Sequence, residues 1–139
     1  MSTNSPYQVA NLGAWSELSQ YQFGPIAGKA FLRAPLDLTG CEISLNRMEA
    51  GHGTPFLHAH KQNEEVYVVV SGNGTFYLDG QEIPVTEGSV IRVAPAVTRG
   101  FCADTEDLFL ICVQAKEGTL EQATLEDGFL VEAKASWMT

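Results

Sequence analysis

The sequence predicts an all-β single domain, an antiparallel sandwich or barrel followed by a short C-terminal helical segment. Three observations point there. Apolar and polar side chains alternate with period two in several short runs, turn residues recur every eight to ten positions after residue 70, and only one stretch near the C-terminus has helical character. A length of 139 residues and a hydrophobic content of 45 % suit one domain, residues 1–139, with a sizeable core.

Gly13, Gly24, Pro25 and Gly28 break the N-terminal third into short pieces. Residues 7–10 and 29–34 read as strands, and Leu12 to Tyr21 as one or two helical turns capped by Ser16. CEISLNRM, from Cys41 to Met48, has the alternation of a strand buried on one face. The turn EAGHGTP leads into a strand over Phe56 to His60, a hinge at Lys61 to Asn63, and a β-branched and aromatic strand from Glu65 to Ser71. SGNG precedes TFYLDG, where Asp79-Gly80 is a two-residue hairpin signal because both positions tolerate positive φ. Gln81 to Val85 and Ser89 to Ala94 follow as strands around the turn Glu87-Gly88, and Pro95 ends the second. Thr98 to Ala103 and Asp107 to Ala115 read as a hairpin around DTED. TLEQATLED, from Thr119 to Asp127, is the helical segment, with Thr119 as cap and Gly128 as stop, and Trp137 is expected to dock on the domain.

Charge narrows the partners. Lys plus Arg number 8 against 17 Asp plus Glu, a net charge of -9 with no basic cluster, which excludes nucleic acid and anionic membrane as natural partners. No apolar run approaches the roughly 20 residues that span a bilayer, and MSTNSPYQVA lacks the features of a secretory signal, so a cytoplasmic location is expected. Cys41, Cys102 and Cys112 are odd in number and show no CxxC spacing, so they are expected to be reduced core residues.

The stretch HAHKQNEEVYVVVSG, residues 58 to 72, holds the chemistry. On an extended chain His58 and His60 point to the same side, with Cα atoms roughly 6.6 Å apart. The hinge then returns Glu64 or Glu65 beside the imidazoles. Two neutral imidazoles and one carboxylate suit a divalent first-row metal such as iron, nickel, zinc or manganese, with positions left open for a ligand. His52, in a glycine-flanked turn, reads as solvated, and Gln62 and Asn63 as bonded to the hinge backbone. Phe56, Tyr67, Phe76, Tyr77 and Phe101 either line a pocket or fill the core, and Arg92 either reaches that pocket or faces water.

These motifs resemble the cupin superfamily. Its first motif places HxH, Glu and Gly at the spacing of His58, His60, Glu65 and Gly72, with Gly51 or Gly53 one place from the leading glycine. In the second motif Gly88 aligns, while Ala94, Ala96, Arg99 and Ala103 stand where the family commonly has Pro, Gly, His and Asn. The resemblance spans about residues 40–115. It implies a jelly-roll barrel, or double-stranded β-helix, with a metal or substrate in its mouth, and a homodimer formed through N-terminal strands. It also selects Glu65, which shares a strand face with Tyr67 and Val69, over Glu64.

Arg99 departs most from the family, because a guanidinium keeps its proton and does not ligate metals. It repels an ion, or clamps a substrate carboxylate or phosphate beside one, or forms an ion pair with Glu65 in a metal-free mouth. A four-residue loop at DTED would place Cys112 opposite Arg99, as a thiol of lowered pKa or as a plain apolar residue. The leading expectation is a metal-dependent cupin acting on a small anionic organic molecule by dioxygenase or isomerase chemistry. His58, His60 and Glu65 then hold the ion, Arg99 clamps the substrate, and Tyr67 serves beside them. The alternative is a metal-free cupin that senses or sequesters a carboxylate or sugar derivative.

Overall fold

Alternation in β4 (Glu42–Met48) has the expected period and an inverted phase: Ser44, Asn46 and Met48 are buried, while Ile43 and Leu45 face outward and are half-buried. The computed structural model describes residues 5–138; residues 1–4 and 139, the ends of the expected 1–139 domain, lie outside the described residues. The other strands are β1 (Gln22–Phe23), β2 (Ile26–Ala27), β3 (Lys29–Phe31), β5 (Asn63–Ser71), β6 (Asn73–Leu78), β7 (Gln81–Thr86), β8 (Val90–Val93), β9 (Arg99–Ala103) and β10 (Leu108–Lys116). Two four-residue helices, α1 (Arg33–Leu36) and α2 (Thr124–Asp127), and a 3-10 turn over Trp15–Gln20 complete the described secondary structure. Among the described residues no helix is long and apolar enough to cross a membrane.

A five-stranded antiparallel sheet, β3-β4-β10-β5-β8, faces a three-stranded one, β7-β6-β9, with β1-β2 as a separate hairpin. This is the jelly-roll arrangement. Met48, Val69, Phe76, Val93, Leu108 and Leu110 fill one end between the sheets, and Phe76, Leu108 and Leu110 are completely buried. Each such side chain contributes about 1.5–3 kcal/mol over leaving it in water. Along the inner face of the large sheet, this apolar end gives way to a row of Ser44, Cys112 and Tyr67, and then to Gln114 and Glu65. The polar face of β4 is inside because it lines that second half.

Turns hold the register. Asp79 and Gly80 have φ of 48° and 90°, and Leu78 pairs with Gln81, as a two-residue hairpin requires. Gly72 turns β5 into β6 at φ 92°, and a Cβ there would collide with the carbonyl oxygen of Asp107. The outer face of β3 and β4 is covered by the 3-10 turn, which buries Leu18, while Trp15 stands edge-on to Phe109 at 6.0 Å.

Several expected elements differ. Residues 7–10 are not a strand, and Ser16 lies inside the 3-10 turn, whose N-cap is Ala14. DTED does not close a hairpin: β9 pairs with β6 and β10 with β4 and β5, so the loop crosses between sheets. Cys112 accordingly sits opposite Ser44 and Tyr67 rather than Arg99. Only Thr124–Asp127 of the expected 119–127 helix forms, and the Thr119 hydroxyl donates back to the Lys116 carbonyl instead of capping it. Trp137 is 80 % exposed and does not dock, and Leu125 and Phe129 are likewise open to solvent at 89 % and 86 %. A helix with no apolar surface to pack on lacks the tertiary term that short helices depend on.

Candidate metal centre and ligand cavity

The three candidate ligands come from opposite walls. Residues 53–60 run extended along the outer edge of β9, with a Gly53–Cys102 bridge and reciprocal His58–Arg99 backbone hydrogen bonds of 3.0 and 2.9 Å. They are not a strand paired with β5, as the hinge had suggested, but an added edge to the small sheet. Gly100 permits this approach, since a Cβ there would meet Leu57 and Thr54 at 2.6 and 2.8 Å. Glu65 arrives from β5 in the large sheet, and the extended edge and the sheet close the mouth between them.

His58, His60 and Glu65 present ligand atoms that all lie within 4.8 Å of one another. His60 Nε2 is 3.2 Å from Glu65 Oε2, His58 Nε2 is 4.0 Å from Glu65 Oε1, and the two imidazoles meet edge to face at 5.2 Å. His58 sits at the rim, His60 deeper, and Glu65 is buried at 3 % exposure. Glu64 points outward to Arg92, which also pairs with Glu117 and so faces water. His52 is exposed, as expected.

Glu65 is held from behind. Its Oε1 accepts from Arg99 Nη1 at 2.9 Å and from the Tyr67 hydroxyl at 2.6 Å, and its Oε2 accepts from the Cys112 thiol at 3.4 Å. Burial alone would raise the Glu65 carboxyl. The Tyr67 hydroxyl, His60, Arg99 and Cys112 outweigh it and hold the group below its ordinary value. Burial and the same carboxylate push the Tyr67 hydroxyl up, and the Cys112 thiol up to about 12. Cys112 is thus a protonated hydrogen-bond donor, not the activated thiol that a neighbouring cation would have made.

Arg99 has no exposed surface, and it is not among the residues lining the cavity. Its Nε donates to Val97 O at 2.9 Å, and Nη2 to Ala94 O and Pro95 O at 2.7 and 3.3 Å. Of the three arrangements open from sequence, the geometry is that of the Glu65 ion pair.

The cavity beside these groups measures about 360 Å³ and is walled mainly by apolar atoms, among them Phe23, Phe31, Phe56 and Phe101. That is the size and character of a small-molecule site. Tyr67 contributes a wall and also packs on Phe76 at 4.9 Å, so it is both core and lining. The cation facing this space is Lys29 on β3, whose Nζ donates to Asn46 Oδ1 at 2.9 Å and Ser44 Oγ at 3.2 Å. Burial pushes the Lys29 ammonium down from its ordinary value. Lys29, Ser44 and Asn46 were absent from the sequence expectation. The alternation in β4 pointed away from the last two: Ser44 and Asn46 alternate with Cys41, Ile43 and Leu45, the apolar positions that a strand buried on one face would turn inward.

The donor set fits a metal ion. His60 Nε2 is buried and has no hydrogen-bond partner among the described residues, and two imidazoles with a carboxylate are borderline ligands suited to iron, nickel, zinc or manganese. The outward tie of Glu65 Oε1 to Arg99 and Tyr67 is the kind of supporting hydrogen bonding that orients a ligating carboxylate.

Comparison with known proteins agrees with the fold. A cupin protein from Bacteroides fragilis is 35 % identical, with a TM-score of 0.78 over 91 % of this chain and 98 % of that one. More distant similarities include a Cupin 2 conserved barrel domain protein from Salinispora arenicola (20 % identity, TM-score 0.51, 57 % and 66 % covered). A cupin domain from Schizosaccharomyces pombe is 15 % identical, with a TM-score of 0.56 and 64 % of each chain covered. No curated protein sequence matches the chain. The model of the cupin domain family matches residues 44–114, more than half of the 139, and with the Bacteroides fragilis likeness it shows that this chain belongs to the cupin superfamily.

Proposed function

We propose that this cupin holds a divalent metal ion on His58, His60 and Glu65 and acts on a small organic anion by oxygenase or isomerase chemistry. The observation that carries the reading is His60 Nε2, buried without a hydrogen-bond partner among the described residues and 3.2 Å from the Glu65 carboxylate. With its proton on Nδ1, His60 would leave this nitrogen facing the carboxylate unsatisfied at a cost of about 1–3 kcal/mol, which coordination would offset. A bound ion of this class supplies Lewis acidity toward a carbonyl or activation of dioxygen. The chain's own groups prepare the site. Arg99 and Tyr67 fix Glu65 Oε1, so its other oxygen faces His60. Burial lowers the proton affinity of the His58 imidazole, keeping it in the neutral form that ligates. The aromatic walls exclude water from a ligand lying against these groups. Elemental analysis of protein purified without chelator, followed by titration with nickel, iron, zinc and manganese, tests the reading. About one equivalent of metal is expected, and no metal together with no uptake would overturn it.

A second reading is favoured by the Arg99–Glu65 pair itself, since it neutralises the carboxylate without an ion. In that case the protein captures a carboxylate or sugar derivative metal-free. Thermal stabilisation by an anion that survives EDTA, in a protein that takes up no metal, distinguishes it. As part of the same proposal the protein acts as a homodimer, for which light scattering on a sizing column gives the mass.

A further inference from the structure

Lys29, Ser44 and Asn46 form a polar cluster on the cavity wall, set across the large sheet from the His58–His60–Glu65 group. β3 and β5 are separated by β4 and β10, three strand spacings, about 14 Å between backbones. The hydrogen bonding of the cluster is unbalanced. Ser44 Oγ accepts from Lys29 Nζ and from Asn46 Nδ2 at 3.0 Å, so both its lone pairs are used and its own proton remains to be donated. Asn46 spends its amide protons on Ser44 and, at 3.5 Å, on Leu110 O, and its oxygen on Lys29. An ammonium has three N–H donors, and Lys29 uses two of them on these partners, with the Phe31 ring 5.2 Å from Nζ. Among the described residues one N–H of Lys29 and the O–H of Ser44 are therefore left without an acceptor, on two neighbouring residues that line the cavity.

We propose that Lys29 and Ser44 form the anion-recognition subsite of this cavity, taking the two oxygens of a monocarboxylate whose aromatic or apolar body lies against Phe23, Phe31, Phe56 and Phe101. Two adjacent donors, one of them charged, match the two oxygens of a carboxylate. One cation with two donors falls short of a phosphate dianion. Charge balance gives the same answer: Glu65 is already paired with Arg99, Lys29 feels Glu65 and Glu42 only at longer range and makes no ion pair among the described residues, and a carboxylate ligand supplies a counter-charge in contact. The subsite deepens the reading of the cavity as a ligand site and names its substrate class. It also moves anion recognition from Arg99, which has no surface in the cavity, to Lys29.

Benzoate and its neutral isostere benzamide are the probes, read by thermal shift and titration calorimetry in EDTA and again in nickel. Benzoate is expected to stabilise the wild type in EDTA, and benzamide to do so at least tenfold less effectively. Lys29→Met weakens benzoate binding by roughly ten- to hundredfold, the loss of one charge-assisted hydrogen bond, Ser44→Ala weakens it several-fold, and Lys29→Arg retains it. Circular dichroism and the midpoint of urea denaturation show that each variant is folded. Benzoate failing to bind the wild type, equal binding of benzamide, or unchanged binding in folded Lys29→Met and Ser44→Ala proteins would each overturn the proposal. Failure of nickel uptake strikes the metal reading alone, because the benzoate measurement in EDTA does not depend on it.

Discussion

Replacing Arg99 by methionine separates a buried strut from a ligand clamp. The guanidinium has no exposed surface, gives one hydrogen bond of 2.9 Å to Glu65, and gives others of 2.9, 2.7 and 3.3 Å to the carbonyls of Val97, Ala94 and Pro95. Arg99→Met removes all of them and leaves Glu65, at 3 % exposure, as a buried carboxylate without its cation. Breaking one side of a buried ion pair costs about 3–5 kcal/mol, mostly the penalty of the charge left behind. For a chain of this size that is a fall in Tm of roughly 10–20 °C. The double variant Glu65→Gln/Arg99→Met removes both charges, so its cost falls short of the sum of the two single costs by at least about 1.5 kcal/mol. Urea denaturation followed by circular dichroism, with unchanged m-values as the check on two-state behaviour, measures the cycle. A loss below about 1 kcal/mol for Arg99→Met, or strictly additive costs, would refute the strut. Unchanged stability with abolished benzoate binding would return Arg99 to the cavity as a clamp.

Glu65→Gln is expected to lower nickel affinity at least tenfold while Glu64→Gln leaves it unchanged, because only the first carboxylate faces the histidines; calorimetric titration compares them. Gly72→Ala costs more than about 2 kcal/mol in urea denaturation, since the added Cβ meets the Asp107 carbonyl at a φ of 92°. Hydrogen bonds from the Ala50 amide and from Arg47 hold the Asp107 carboxyl below its unfolded value of 3.8. A carboxyl with a depressed folded pKa contributes stability above the unfolded pKa and loses it as pH falls through the folded one, so Asp107→Asn flattens the acid limb of the stability profile below that value. The Cys112 thiol, raised to about 12, is thiolate to roughly one part in ten thousand at pH 8, and native protein should leave it unalkylated by iodoacetamide while Cys41 reacts. Rapid labelling of Cys112, located by peptide mass, would contradict the Glu65 contact.

Local pattern was enough for most of the strands and for the two faces of β5, while the choice of Glu65 over Glu64 came from the family spacing to Gly72. Period-two alternation placed Glu65, Tyr67 and Val69 on one face and Glu64 on the other, and all three inner residues are buried. Asp79-Gly80 fixed its hairpin through φ alone. These features depend on side chains within a few residues of one another, so the sequence carries them directly. The partner of each strand and the face that each side chain meets depend on distant segments. DTED looked like a hairpin because its flanks were both strands, yet β9 and β10 found partners in different sheets and carried Cys112 away from Arg99 to a place beside Glu65. The cavity chemistry of Lys29 and Ser44 stayed hidden for the same reason. A lysine and a serine 15 positions apart become neighbours only once β3 has docked on β4 with its polar face inward, and docking is decided by what the whole barrel can bury.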